Sequence, residues 1–498
     1  MRRQSFYARL LCVSLFTSIG FAVMGYHPGL EDDGIYLAAV KARLDPVLFP
    51  HDADFFRLQM QATVFDDVIA GFVHWTHIPL PWAELFWQLA SLFGILWACH
   101  SIARHVFPQA KAQWAGVAMV AAMFTLPVSG TALFLADQHL HPRNIATALI
   151  LLAVSRILAA QRWQAALLLI AAFLMHPLMA AMGISFCVFL GLAMLDVVHA
   201  RALSWSERSL AAGGKAAALI PLAWVFEPAS PTWLQALNTR DYYYLYRWTW
   251  YEWLGALGPP LLFWLLWRTA DKCGEWLLAR FALAVFAYSV FQQCVAMLML
   301  APPGWVRLTP LQPMRYLQLV YFCIALLAGC LLGKYCLKTS RWRWAVYLLA
   351  INGGMLVWQL ASFTGSPHLE LPDDPSANPW LEAFAWIRVH TPVDAYFALD
   401  PYYLEARGED YHGFRALAER SQLADMVKDA SVVTQIPELG PVWARQVAAE
   451  KGWNHFQLGD FERLKRDFGV DWALVSYPQP SGLACDWHNS SLAVCRIP

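Results

Sequence analysis

The sequence predicts a multi-pass α-helical membrane protein of about eleven spans, followed by a C-terminal α/β domain outside the membrane. Three observations predict it. Of 498 residues, 58% are hydrophobic and only 14% charged, a chain too apolar for a soluble protein and too long for one domain. Apolar runs near the length of about 20 residues that a helix needs to cross hydrocarbon recur through residues 1–365. After Ser366 the hydropathy collapses, and the remainder, 366–498, is long enough to build one small core of its own. Twenty-five Trp and a 14% aromatic share suit two interfacial belts. Lys+Arg and Asp+Glu balance at 36 each, which argues against a nucleic-acid partner and makes the placement of each sign the useful signal.

Candidate spans fall near 8–26, 80–100, 114–133, 143–160, 163–176, 178–196, 212–227, 252–268, 277–300, 315–333 and 344–363. Loops on the side of the N-terminus carry Arg2, Arg3, Arg9, Arg104, Lys111, Arg156, Arg162, Arg201, Arg208, Lys215, Arg268, Lys272, Lys334, Lys338, Arg341 and Arg343. The opposite loops carry half as many: Lys41, Arg43, Arg57, Arg143, Arg240, Arg247, Arg307 and Arg315. The positive-inside rule then puts the N-terminus in the cytoplasm and, with an odd number of spans, the C-terminal domain outside. The tightest stretch is 163–196, which as a single helix would measure about 51 Å, less than two bilayer crossings. His176-Pro177 breaks it midway, so two short, tilted helices are expected. The first apolar run follows basic residues as a signal peptide would, but Phe21–Tyr26 offers no small-x-small cleavage site, and the expectation is an uncleaved first span.

Eight of the ten cysteines lie scattered in apolar segments without metal-ligand spacing and read as small core residues. Cys485 and Cys495 stand apart in the polar tail and could close a disulfide if that region lies outside the reducing cytoplasm.

The polar features concentrate on the predicted outer face. His27-Pro28-Gly29-Leu30-Glu31-Asp32-Asp33-Gly34 sets three adjacent carboxylates just after the first span, at the start of a long outer loop, 27–79. Loops of this length carry structure or function. Gly34–Lys41 reads as the start of a short helix, for which Asp32 and Asp33 could simply be N-terminal capping charge. Ala53 to about His74 reads as a second helix lying in the interface. A second knot, Asp137-Gln138-His139-Leu140-His141-Pro142-Arg143-Asn144, places His139 and His141 on one side only if the backbone is extended, which Pro142 favours before a helix starting near Arg143. With His176 these groups could bind a divalent cation, or each histidine could be an ordinary hydrogen-bonding residue. Asn238–Trp248 is aromatic and basic, and Arg307 and Arg315 flank a Pro-rich turn; arginines among aromatics suit a phosphate or a sugar, or an interfacial girdle.

In the tail, Trp380, Phe384 and Ile387 have helical spacing. Ala395–Leu399, Ser431–Ile436, Trp472–Tyr477 and Leu492–Ile497 read as strands, and Pro441–Lys451 and Asp460–Phe468 as helices. No glycine-rich phosphate loop, GxSxG or triad is evident, so a supporting or substrate-gating role is expected. The dense charged group Asp410, His412, Arg415, Glu419 and Arg420 reads as a solvated surface loop.

An acidic pair in a long first outer loop, helices after it, a second outer loop with another carboxylate, about eleven spans and an outward α/β domain together resemble the GT-C superfamily. Trp386–Ala395 and Phe468–Trp472 look like tails of uncharacterised bacterial membrane proteins of this kind. The resemblance implies an enzyme of the bacterial cytoplasmic (inner) membrane that transfers a sugar from a polyprenyl-phosphate donor to a lipid, glycan or protein acceptor. It implies Asp33 as catalytic base, with Asp32, and substrate contacts from Glu31, Asp137, His139, His141 and His176. Arg240, Arg247 or Arg315 would receive the phosphate, and a divalent cation, Mg or Mn, would sit on Asp32, Asp137 and His139. A base for the acceptor hydroxyl, a carboxylate for the developing positive charge and a cation for the leaving phosphate make coherent chemistry. Two rivals stand: a secondary transporter, which calls for ionisable residues deep within spans and repeated halves, and a non-enzymatic envelope-assembly protein whose acidic pair only caps a helix.

Overall fold

The computed structural model describes residues 5–195, 228–300, 303–374, 378–405 and 411–498. The predicted span 212–227, with Arg2, Arg3, Arg201, Arg208, Lys215 and Asp410, lies outside the described residues. Nine of the other predicted spans coincide with helices: Phe6–Met24, Leu80–Val106, Pro142–Leu158, Arg162–Met175, Pro177–Ala193, Trp250–Lys272, Trp276–Leu300, Leu317–Leu332 and Arg341–Ser362. The one expected at 114–133 is corrected, its helix running Ala110–Ala122 and giving way to a short hairpin that begins at Pro127, a residue that cannot continue a helix. Among the described residues five helical runs are long and apolar enough to cross a membrane: Phe6–Met24, Leu80–Val106, Trp276–Leu300, Gly304–Leu337 and Arg341–Ser362. The chain is therefore an integral membrane protein by length and composition of its helices. Several other helices are shorter than a bilayer; Ala110–Ala122, at 13 residues, spans only about 20 Å.

The bundle core is built from the buried faces of these helices, with Leu80–Val106 lying along Pro142–Leu158 and Leu317–Leu332 along Ala110–Ala122. Small residues let the latter pair approach closely. A Cβ on Gly329 would lie 2.5 Å from the Ala115 carbonyl oxygen, so only glycine fits. At 163–196 the expected break occurs: His176 ends one helix and caps the next, its Nδ1 accepting the Met179 N–H at 3.4 Å, with Pro177 in the first turn.

The 27–79 segment holds three helices, Asp33–Leu44, Asp54–Ala62 and Phe65–Thr76. The single helix expected from Ala53 to His74 is thus two, because Thr63 turns extended and the Val64 N–H leaves the ladder to donate to the Leu174 carbonyl at 3.0 Å. That bond seats the loop on the end of the Arg162–Met175 helix. A small hairpin, β1 (Pro127–Val128) with β2 (Leu133–Phe134), precedes the Asp137–Asn144 knot.

The C-terminal region forms a five-stranded sheet from β3 (Tyr396–Ala398), β4 (Ser421–Gln422), β5 (Trp472–Ser476), β6 (Ala484–His488) and β7 (Leu492–Arg496), ordered β4-β3-β5-β7-β6. β3 pairs in parallel with β4 and β5, while β5, β7 and β6 are antiparallel. Alternation along the strands feeds two cores. Phe397, Leu474 and Val494 pack on the Pro379–His390 helix; Tyr396, Ala398, Ala473, Val475 and Ala493 pack with Phe461 and Leu464 of the Leu458–Phe468 helix. The disulfide Cys485–Cys495 joins β6 to β7 in register.

Two expectations for this region are corrected. Ser431–Ile436, expected as a strand, lies in the helix Lys428–Gln435. The Asp425 carboxylate accepts the N–H groups of Val427, Lys428 and Asp429 and so starts a helix that overrides the β-branched run. The charged group around Arg415 is not a solvated loop. Arg415 is 5% exposed and bridges Asp52 of the first loop to Asp429, with Asp429 contacts of 2.8 and 2.9 Å; His412 and Arg420 are buried too. These contacts fasten the sheet domain to the first loop. Backbone pairing adds to them: the Gly413 N–H donates to the Gly29 carbonyl at 2.8 Å and the Glu370 N–H to the Tyr26 carbonyl at 2.9 Å. Gly34 and Gly413 face each other so closely that a Cβ on Gly413 would lie 2.5 Å from the Gly34 Cα.

Candidate active site

The site grows from the turn that leads into the Asp33–Leu44 helix. Asp32 stands at the N-cap position yet makes no capping hydrogen bond, whereas Asp33, one residue on, accepts the Gly29 N–H at 2.6 Å. Successive helical side chains diverge by about 100°, and the two carboxylates part accordingly. Asp33 is 2% exposed. Asp32 retains 37% of its side-chain exposure and faces a cavity. Burial raises the Asp33 carboxyl to about 7, against the pull of the Gly29 N–H and Lys41. For Asp32 burial also opposes ionisation, but Lys428 and then His141 outweigh it and hold the group well below the usual carboxylate range.

Lys428 arrives from the sheet domain. Its Nζ lies 3.1 Å from Asp32 Oδ1 and 3.2 Å from Glu31 Oε2. On the other side stands His141, with Nε2 3.8 Å from Asp32 Oδ2, while Nδ1 accepts the Arg143 N–H at 2.9 Å. Burial holds the His141 imidazole below its ordinary value, so it is neutral near pH 7 and its contact with Asp32 is polar rather than ionic.

The Asp137–Asn144 knot closes the floor. Extended backbone at His141, expected from Pro142, is observed with φ −134° and ψ 137°, and the Pro142–Leu158 helix starts from it. Arg143 grips both oxygens of Asp137, Nε to Oδ2 at 3.1 Å and Nη2 to Oδ1 at 2.5 Å. Burial would raise the Asp137 carboxyl, but Arg143 prevails and holds it at about 2. Asn144 accepts the Asp137 N–H at 3.0 Å, and Gln88 donates to the Asp137 carbonyl at 2.7 Å, which fixes the loop. His139 is 3% exposed with neither ring nitrogen hydrogen-bonded, and burial pushes it down to about 3. The rings of His139 and His176 lie 5.8 and 6.2 Å from that of His141.

Two cavities meet at this point. One, of about 1050 Å³, is lined by Glu31, Asp32, residues 127–134, Arg240, Arg315, Gln359 and Lys428. The other, of about 430 Å³, is more apolar, with Ile35, Leu58, Leu178, Leu311 and Val432 beside Tyr36, His141 and His176. Asp32, Arg315 and Ser431 line both. A recess of about 40 Å³ links Glu31 and Asp32 to Asp137, His139 and Arg143.

The sequence-predicted residues thus divide. Glu31, Asp32, Asp137, His139, His141, His176, Arg240 and Arg315 line this connected space. Asp33 does not line it, and neither does Arg247, which is closed on Asp241 and stacks on Tyr244 at 4.6 Å. A cation on Asp32, Asp137 and His139 does not fit this arrangement: Arg143 occupies both Asp137 oxygens and Lys428 holds Asp32. The metal-type group that the described residues gather, with all ligand atoms within 4.8 Å of one another, is instead His27, Glu370 and His412. Sequence reasoning missed Lys428, Gln88 and Asn144 as members of the site, and Arg143 as the partner of Asp137. Adjacency could have flagged Arg143; nothing local points to Lys428, 396 residues from Asp32.

In class, the fold and site define a multi-helical integral membrane protein whose first loop, Asp137 knot and C-terminal sheet domain converge on one buried polar cluster beside a large cavity. No known family model and no curated protein matches the chain. Among solved structures, the archaeal oligosaccharyltransferase AglB from Archaeoglobus fulgidus, in complex with an inhibitory peptide and a dolichol-phosphate, superimposes with a TM-score of 0.44 at 11% identity, over 95% of this chain and 70% of that one. A likeness of that degree carries no assignment.

Proposed function

We propose that the chain is an integral-membrane glycosyltransferase that moves a sugar from a polyprenyl-phosphate donor to an acceptor at the outer face of the membrane. The observation that carries the reading is the meeting of the two cavities at Asp32 and Arg315. A carboxylate that caps nothing stands where an apolar groove joins a polar chamber, and the Arg315 guanidinium lines both. The groove suits an isoprenoid tail, and the chamber has room for a sugar and an acceptor. Arg315, with Arg240, would take the departing phosphate.

Asp32, rather than Asp33, then does the carboxylate's work. Lys428 and His141 keep it ionised, so it can stabilise positive charge developing at the anomeric carbon and accept the acceptor's proton as the bond to phosphate breaks. Lys428 and the Arg143–Asp137 pair occupy the places that a divalent cation would need, so the charges in this cluster are balanced by side chains. His141 and His176 line the groove wall.

The test is turnover by the purified full-length chain, offered a panel of polyprenyl-phosphate sugars and short glycan, lipid and peptide acceptors. The wild type transfers sugar from at least one donor and Asp32→Asn does not. Equal transfer by wild type and Asp32→Asn would remove the assignment.

A further inference from the structure

We propose that His27, Glu370 and His412 form a zinc site that clamps the C-terminal domain to the turn carrying Asp32. The three residues come from separate segments: the turn just after the first helix, the stretch after Ser362, and the loop before the short helix Phe414–Ala418. Glu370 Oε2 lies 2.7 Å from His412 Nε2 and 3.7 Å from His27 Nδ1. Tetrahedral zinc, with bonds of about 2.0–2.2 Å, sets its ligand atoms roughly 3.3–3.5 Å apart, so small side-chain adjustments suffice to enclose an ion.

An independent observation points to a ligand. His27 is 0% exposed and neither of its ring nitrogens has a hydrogen-bond partner; Glu370 Oε1 has none either. A single proton shared between His412 and Glu370 satisfies that pair and leaves the His27 imidazole with only its 3.7 Å approach to Glu370, too long for a hydrogen bond. An ion on the Glu370 oxygen would serve all three side chains. Two imidazole nitrogens and one carboxylate oxygen match zinc, whereas magnesium and calcium select oxygen ligands. Phe363 packs against His27 with ring centroids 4.2 Å apart and planes tilted by 49°, and walls the cluster from one side. Glu370 also lines a cavity of about 280 Å³ with Tyr26, Pro28 and Glu84, through which water can reach a fourth position.

The placement gives the ion a structural task. The Tyr26–Leu369 and Leu30–His412 bridges lie on either side of the cluster, so the ion would pin the strand-like ends that hold Asp32 and Lys428 in register. This inference stands apart from the glycosyl-transfer reading, since it concerns the clamp and not the reaction.

The experiment uses full-length protein in detergent, purified without a histidine tag, stripped with chelator, given zinc sulfate and desalted. Wild type should retain about one zinc per chain and unfold at a higher temperature with zinc than without. His27→Asn with His412→Asn should retain about a tenth of that or less. Glu370→Gln keeps a hydrogen-bond acceptor for His412 and so should preserve the fold, while weakening zinc binding about tenfold or more. His139→Asn should retain zinc as wild type does. Wild type that keeps no zinc, or Glu370→Gln and the double variant binding as wild type does, would overturn the proposal.

Discussion

The turn from His27 to Asp33 has two sides, and they are built on opposite plans. On one, Glu31 and Asp32 look into a cavity of about 1050 Å³ and share the Lys428 ammonium. On the other, Asp33 is sealed on the Gly29 N–H, and His27, Glu370 and His412 draw together at the junction with the sheet domain. Two carboxylates adjacent in sequence thereby acquire opposite character. Lys428 and His141 hold Asp32 ionised, whereas burial makes Asp33 reluctant to ionise. The lesson is that an acidic motif names a place rather than a residue, and the direction of each side chain decides which member can meet a substrate.

The largest expected effect comes from breaking the open side. Asp32→Asn should lower sugar transfer about 10²–10⁴-fold, the usual weight of a positioned acid or base, while size-exclusion profile and thermal midpoint remain those of wild type. Next is the strut beneath both sides. Arg415→Met strands the buried carboxylates of Asp52 and Asp429 and should cost about 3–5 kcal/mol, read as a lower thermal midpoint and faster proteolysis of the sheet domain.

Lys428→Met should reduce transfer about 10- to 100-fold without unfolding the chain, since it removes the ammonium shared by Glu31 and Asp32 but leaves the Asp425-capped helix in place. A wild-type rate would detach the sheet domain from the chemistry. Asp33→Asn addresses the sealed side through pH. Because the folded value, about 7, exceeds the ordinary 3.8, the contribution of Asp33 to stability is full below pH 4 and declines as pH rises through 7. Asn, which never ionises, should therefore match wild type near pH 4 and exceed it by pH 8, by on the order of 1–3 kcal/mol. A difference that does not grow between those pH values would contradict the placement of Asp33. The smallest effect belongs to Arg247→Ala: its guanidinium is engaged outside the cavity by Asp241 and Tyr244, so transfer should change by no more than about twofold.

Much of the bundle was legible because its signal is local. Apolar runs mark the helices, and His176-Pro177 and His141-Pro142 mark their starts. The Asp137–Asn144 knot could be read as a unit because its chemistry lies within eight consecutive residues. Four features were not legible, each for a physical reason. Lys428 sits in a helix whose Ser431–Ile436 run favours strand, and Asp425 capping, a short-range contact with no distinctive motif, decides otherwise. The charges of Arg415 and Arg420 look solvated in sequence, since burial of an ion pair depends on a partner such as Asp52, which is 363 residues away. β6 alternates exposed and half-buried positions at a sheet edge, so it lacks the apolar run that announced β5 and β7. The difference between Asp32 and Asp33 was beyond reach for the same reason: residue type is local, and direction is set by what packs around the turn.

The central claim is that Asp32 faces the reacting groups and Asp33 does not. It is tested most directly by measuring sugar transfer from one accepted polyprenyl-phosphate donor by wild type, Asp32→Asn and Asp33→Asn side by side. The account predicts that Asp32→Asn is slowed about 10²-fold or more while Asp33→Asn keeps a rate within about threefold of wild type. An inactive Asp33→Asn beside an active Asp32→Asn would contradict it.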